Sequence, residues 1–276
     1  MFVRNSAALG ALALAFTAVP ALAQEDPEFS GPYIGATLGY SLQNNDVGEN
    51  IQFDRDLNGS FNDTVVTSGG ANAFAPGFCN GRASSTANQA CRDDRNGPTY
   101  SVRLGYDLQF GNVVVGMVGE FGKSELTDSV TAFSSTPASY TMTRRVGWES
   151  GLRGRLGYAA GGKTLFYGTG GVAYAKVGHD FSTSNTANSF AVHDDSHAWG
   201  WAAGGGVEQK LGKNFSLGVE YLYSRYNDDN STVRAGAGTA PATSPFLLGN
   251  ANGTDFRRSD DRFDYHGVRA TAAIRF

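Results

Sequence analysis

From residue 31 onward the apolar residues of this chain recur at every second position, over eight separate segments. Tyr100, Val102, Leu104, Tyr106, Leu108 and Phe110 alternate with Ser101, Arg103, Gly105, Asp107 and Gln109. A period of two is the period of a β-strand, so one face of each ribbon is greasy and the other small, polar or charged. The other segments are 32–42, 113–123, 144–158, 164–177, 198–210, 215–226 and 263–276. Segment 144–158 sets Val146, Trp148, Leu152, Leu156 and Tyr158 against Glu149, Gly151, Arg153, Arg155 and Gly157. Segment 164–177 is too rich in glycine for its faces to be assigned.

The connections sort by length. Three are short turns, around Gly111-Asn112, Ala159 to Lys163 and Leu211 to Asn214, and four are long and polar, about 43–98, 124–143, 178–197 and 227–262. Long and short alternate strictly. A soluble sandwich has no reason to do this, whereas a transmembrane barrel has short periplasmic turns and long outer loops. The expected fold is therefore all-β: an eight-stranded antiparallel up-and-down transmembrane β-barrel.

The charges say which face meets lipid. Arg103, Arg153, Arg155, Arg269 and Arg275 share the polar face with Asp107, Glu120, Glu149, Glu208 and Glu220. An Arg facing the bilayer midplane costs about 2–4 kcal/mol, so these ten groups must point into the narrow lumen and pair as a charge ladder. Arg153 and Arg155 are expected to meet Glu149, Glu208 or Glu220 across strands. A soluble lipocalin-like barrel would need an apolar inner face and leave five Arg on a wet exterior. Aromatic residues such as Tyr100, Phe110, Trp148, Tyr158, Trp199 and Tyr221 fall near strand ends, where interfacial girdles belong.

Arg4, the apolar run from Ala7 to Val19 and Ala21-Leu22-Ala23 form the three parts of a signal peptide. Residues 1–23 are expected to be removed, leaving 24–276 as one barrel domain. Export makes a disulfide the simplest reading of Cys79 and Cys91, which lie in a loop-like stretch containing no His. A net charge of −4 leaves no basic excess for nucleic acid.

The order of four motifs resembles a known family. Trp148-Glu-Ser-Gly-Leu-Arg-Gly-Arg-Leu-Gly-Tyr158 continues into Leu165-Phe-Tyr-Gly-Thr-Gly-Gly-Val-Ala-Tyr174, then Trp199-Gly-Trp-Ala-Ala-Gly-Gly-Gly-Val-Glu208 and Asn214-Phe-Ser-Leu-Gly-Val-Glu-Tyr-Leu-Tyr223. This is similar to the small outer-membrane β-barrel proteins of Gram-negative bacteria, the opacity-protein and OmpA-barrel-like surface antigens, and most of all to their major outer-membrane antigen branch. The resemblance spans nearly the whole mature chain outside the loops. It implies that the terminal Phe276 is read by the barrel-insertion machinery, and at most that the loops adhere to host surfaces or hold a small ligand such as haem. The first outer loop departs from the pattern in its length and its Cys pair.

Other motifs carry less. Gly157-Tyr-Ala-Ala-Gly-Gly162-Lys163-Thr164 matches a phosphate loop in letters, but the residues after Thr164 are β-like and broken by glycine, where a helix is required. His193-Asp-Asp-Ser-His197, with His179 and Asp180 in the same loop, fits no standard zinc spacing. No Ser-His-acid set is legible on the outer rim. The loop acids Asp93, Asp94, Asp228, Asp229, Asp260 and Asp261 are expected to bridge divalent cations to lipopolysaccharide or to keep the loops hydrated. The sequence thus leads us to expect a non-enzymatic, structural and surface-presenting protein of the cell outer membrane without cofactor or resident metal. Its expected partners are lipid, lipopolysaccharide, the assembly machinery and a possible surface ligand. The alternative is a small-solute porin.

Overall fold

A computed structural model describes residues 28–43, 48–89, 91–194, 196–228 and 231–276. The leader, Asp195 and Asp229 lie outside the described residues. Eight long strands form a meander: β1 (Gly31–Gln43), β2 (Gly97–Phe110), β3 (Val113–Ser124), β4 (Ala138–Ala160), β5 (Thr164–Thr183), β6 (His197–Lys210), β7 (Phe215–Asn227) and β8 (Arg262–Arg275). Every neighbouring pair is antiparallel, and β8 returns to β1 with Tyr33 opposite Arg275 and Ile34 opposite Ile274. The sheet therefore closes on itself and has no free edge within the membrane, as lipid demands of any strand-built span.

The alternation is visible on the surface. Leu104, Leu156 and Val219 face outward and stay exposed, while Arg103, Arg155 and Glu220 between them are buried inside. Rings touch around the outer end of the wall: Phe121 to Trp148 at 5.7 Å, Trp148 to Tyr174 at 5.5 Å, and Tyr174 to Trp199 at 4.8 Å between centroids. The belt continues through Trp201, Tyr223 and His266. In the Gly-rich strand β5, Leu165, Tyr167, Ala173 and Ala175 point inward and Phe166 and Val172 outward.

Two expectations need correction. Val146 does not share the lipid face with Trp148. Trp148 pairs with Lys176 but Val146 pairs with Val177, so Gly147 is an extra residue in β4. This bulge shifts the phase by one residue, which turns Val146 and Arg144 inward and Arg145 outward.

The second correction concerns the long loops, which are neither simply polar nor simply hydrated. They hold five further strands of four to eight residues, Ile51–Asp54, Thr127–Ser134, Ser189–His193, Thr232–Gly236 and Thr254–Arg258, with shorter ones at Phe78–Asn80, Arg82–Ala83 and Cys91–Arg92. The outer halves of β4 and β5 run on past the girdle and pair with each other, and Thr127–Ser134 and Phe78–Asn80 extend that sheet. Four of the remaining strands make a second sheet in the order 189–193, 232–236, 254–258, 51–54. Between the two sheets lies one apolar core that includes Phe53, Phe74, Val130, Tyr140, Phe246 and Phe256. Phe53 and Phe74 stack at 4.4 Å, and Phe256 meets Phe53 edge-on at 5.0 Å. The outer segments thus fold as a cap with its own core. Cys79 and Cys91 form a disulfide that closes the hairpin at the cap's edge.

Candidate functional site

The interior of the barrel is built in tiers, each positioned by the inward face of several strands. At the periplasmic end Phe29 is fully buried, its N–H donated to Gln109 Oε1 at 2.9 Å. Above it, Arg155 Nη1 lies 3.0 Å from Asp107 Oδ2, Arg275 Nη2 lies 2.9 Å from both Asp107 and Glu208, and Arg155 also pairs with Glu208. The Arg155 guanidinium lies over the Tyr167 ring at 3.9 Å, and that of Arg275 over Tyr33 at 4.5 Å. The close fit explains one glycine: a Cβ at Gly105 would fall 2.2 Å from the Tyr33 ring.

The middle tier brings three arginines onto two carboxylates. Arg103 Nη2 reaches Glu120 and Glu220 at 3.2 Å each, Arg153 Nη2 reaches Glu120 at 2.9 Å, and Arg269 donates to both acids. Tyr167 donates its hydroxyl to Glu220 at 2.8 Å.

Glu149 lies apart from the arginines. Ser124 Oγ donates to it at 2.8 Å, Tyr226 Oη at 3.0 Å, and Tyr265 Oη as well. Its charge balances the surplus arginine of the middle tier, since the five arginines face four acids without it. Between Glu120, Glu149, Arg153 and Arg269 remains a cavity of about 20 Å³, room for a single water. The upper lumen is further filled by Leu126, Ala175, Leu222, Phe263 and other apolar residues. Periodicity could place Tyr33 inside, because it shares the phase of Gly35 and Thr37, but gave no hint that Phe29 would close the end.

The barrel mouth is closed by a second polar network that sequence reasoning missed. Arg144, 1% exposed, donates from Nε to Asp128 at 2.6 Å and from Nη2 to Asp260 at 2.6 Å and to the Arg262 carbonyl at 2.7 Å. Asp228 stands 3.5 Å from its Nη1. Arg258 forks onto Glu49 at 2.7 and 2.8 Å and reaches Asp128 at 2.8 Å. His179 bridges Asp194 at 2.6 Å and Asp228 at 3.0 Å. Asp228 and Asp260 are therefore committed to protein cations, and their expected role as lipopolysaccharide bridges is not what this geometry provides. Burial raises the Glu49 pKa, while at Asp128 the pull of Arg258 and Arg144 outweighs burial and holds it below the usual range.

Asp94 adds a pH-sensitive carboxyl beside this network. Burial, with the nearby Asp128 charge, pushes its carboxyl up to about 7, although Ser129 N–H donates to it at 2.7 Å. A carboxyl raised in the fold binds its proton more tightly there than in the unfolded chain. Its contribution is thus full below about pH 4 and is lost as pH rises to about 7. Asp94→Asn keeps the acceptor for Ser129 and removes the charge. It should stabilise the cap at pH 8 by about 1–2 kcal/mol, less than full linkage because water still screens the group, and leave it unchanged at pH 4. Protease-monitored unfolding at the two pH values checks this; equal effects at both would contradict it.

With a closed, lipid-facing barrel and its cap described, comparison with known proteins becomes informative. Residues 9–276 match the family model of the outer membrane protein beta-barrel domain. The chain belongs to that family. Its relatives include the 31 kDa outer-membrane immunogenic protein of Brucella melitensis, 37% identical over 124 residues, covering 45% of this chain and 51% of that protein. The 22 kDa outer membrane protein of Rhizobium leguminosarum is 30% identical over 138 residues, covering 49% of this chain and 56% of that protein. The chain thus spans about half the length of the curated relatives it matches. Among solved structures, the outer membrane protein OprG of Pseudomonas aeruginosa superposes with a TM-score of 0.51 at 12% identity, covering 91% of this chain and all of that one. That likeness shows the barrel fold. Membership in the outer membrane beta-barrel family places the protein in the cell outer membrane and makes lipid the solvent of its aromatic and aliphatic exterior.

Proposed function

We propose that the protein is a non-enzymatic structural element of the outer membrane which holds a folded cap above the surface for adhesion or ligand binding. The observation that carries this reading is the filled lumen: two tiers of paired charge, a layer of aromatic and aliphatic side chains, and the Arg144 network stand in series along the barrel axis. A solute would have to separate buried ion pairs at each tier, at a cost of several kcal/mol per ion. The immunogenic relatives support surface exposure. In this reading lipopolysaccharide surrounds the outer girdle. Phe276, exposed at the end of β8 with its N–H donated to Pro32 O at 3.0 Å, serves as the signal for the assembly machinery.

The competing reading is a small-solute channel, and planar-bilayer recording separates the two. The filled lumen should give only brief, irregular current steps. A stable pore of nanosiemens scale would overturn the proposal.

A further inference from the structure

The geometry points to a calcium site in the first outer segment of the cap, at Asp54, Asp56, Asn58 and Asp63. This inference is independent of whether the cap binds a surface ligand. The chain reads Asp54-Arg55-Asp56-Leu57-Asn58-Gly59-Ser60, which is D-x-D-x-N-G-x, the opening of an oxygen-ligand calcium loop. In such a loop positions one, three and five supply side-chain oxygens, the glycine at six makes the sharp turn, and position seven offers its carbonyl. Gly59 has the required positive φ of 87°. The register then departs from the twelve-residue form, because position twelve is Val65 and the extra carboxylate is Asp63, at position ten. Oxygens of Asp54, Asp56 and Asp63 all lie within 4.8 Å of one another.

Charge balance points to an ion on separate grounds. The buried acids among the described residues are Glu49, Asp54, Asp107, Asp128, Glu208 and Glu220. Each except Asp54 has an arginine within ion-pair distance. Asp54 is 2% exposed and makes no ion pair among the described residues; its carboxylate accepts only the backbone N–H groups of Asn58 at 3.0 Å and Gly59 at 2.7 Å. Strand pairing makes its position worse, because it sets Asp54 directly opposite Asp255. Facing carboxylates repel, and the nearby Arg234, although its charge also acts on Asp54, makes its ion pair with Asp255 at 2.7 Å. A carboxylate buried without an ion-pair partner among the described residues, with two more acids converging on it, is the environment that a hard divalent cation relieves. The ion would tie loop 54–63 to the strand that carries Ile51 and Phe53 into the cap core.

The test uses the mature chain refolded in detergent free of lipopolysaccharide, stripped with chelator and titrated with CaCl2 by calorimetry. One Ca2+ should bind per chain, with Kd in the range of about 10⁻⁴–10⁻³ M typical of extracellular modules. Asp56→Asn and Asp63→Asn, both at positions with some solvent access, should each weaken binding at least about tenfold, while Asp93→Asn should leave it unchanged. In the unmodified protein, Ca2+ should also slow proteolysis within 54–63. No saturable binding up to about 10 mM, or undiminished binding when Asp56→Asn and Asp63→Asn are combined, overturns the site.

Discussion

Glu220→Ala should lower the unfolding free energy of the barrel by about 3–5 kcal/mol, the usual cost of removing one partner from a buried ionic cluster. Glu220 is 1% exposed and accepts from Arg103, Arg269 and Tyr167. Its loss leaves three arginines around Glu120 alone, in a tier whose cavity of about 20 Å³ has room for a single water. Arg153→Ala should cost distinctly less. Both glutamates then keep Arg103 and Arg269, and the carboxylate left without a counter-charge is Glu149, which three hydroxyls hold. Urea unfolding in detergent measures both variants. Equal losses would mean that the middle tier does not behave as a counted set of charges.

Arg144→Ala should act elsewhere, with a similar size of about 3–5 kcal/mol, but confined to the cap. The Arg144 side chain gathers Asp128 from one outer segment and Asp228 and Asp260 from the two ends of another, and the Arg262 carbonyl with them. Without it three acids face one another across the barrel mouth, with Arg258 touching only Asp128 among them. Protease should then cut the outer segments while the membrane wall stays intact. Arg144→Lys should fall between, because an ammonium keeps the charge but cannot reproduce the guanidinium fork. A cap as protease-resistant as the unmodified one would refute the role of this residue.

These two residues also mark where the sequence stopped being readable. Glu220 stands in an unbroken alternation, flanked by Val219 and Tyr221, so its inward face follows from a count of two. Arg144 lies beyond the bulge at Gly147, where a single extra residue reverses every face assigned from the other side. The cap was hidden for a related reason. Its strands, such as Ile51–Asp54 and Thr254–Arg258, are short, and they pair with partners some 200 residues away. Periodicity over four or five residues cannot show such pairing, and the surrounding Asn, Ser and Gly made the segments look like hydrated loop. Phe53, Phe74, Phe246 and Phe256 were the available signal: four large rings in stretches otherwise polar, too widely spaced to read as one core. The disulfide partners lie twelve residues apart in one segment and needed no long-range pairing to be read.

Hydrocarbon against the outward face is the central claim, and the chain carries its own reporters for that contact. All three tryptophans, Trp148, Trp199 and Trp201, belong to the outer girdle. Emission quenching in bilayers of lipids brominated at defined depths measures their position directly. Lipids brominated near the headgroup should quench strongly, those brominated near the chain ends weakly, and aqueous acrylamide hardly at all. Emission open to acrylamide and indifferent to brominated lipid would contradict the claim.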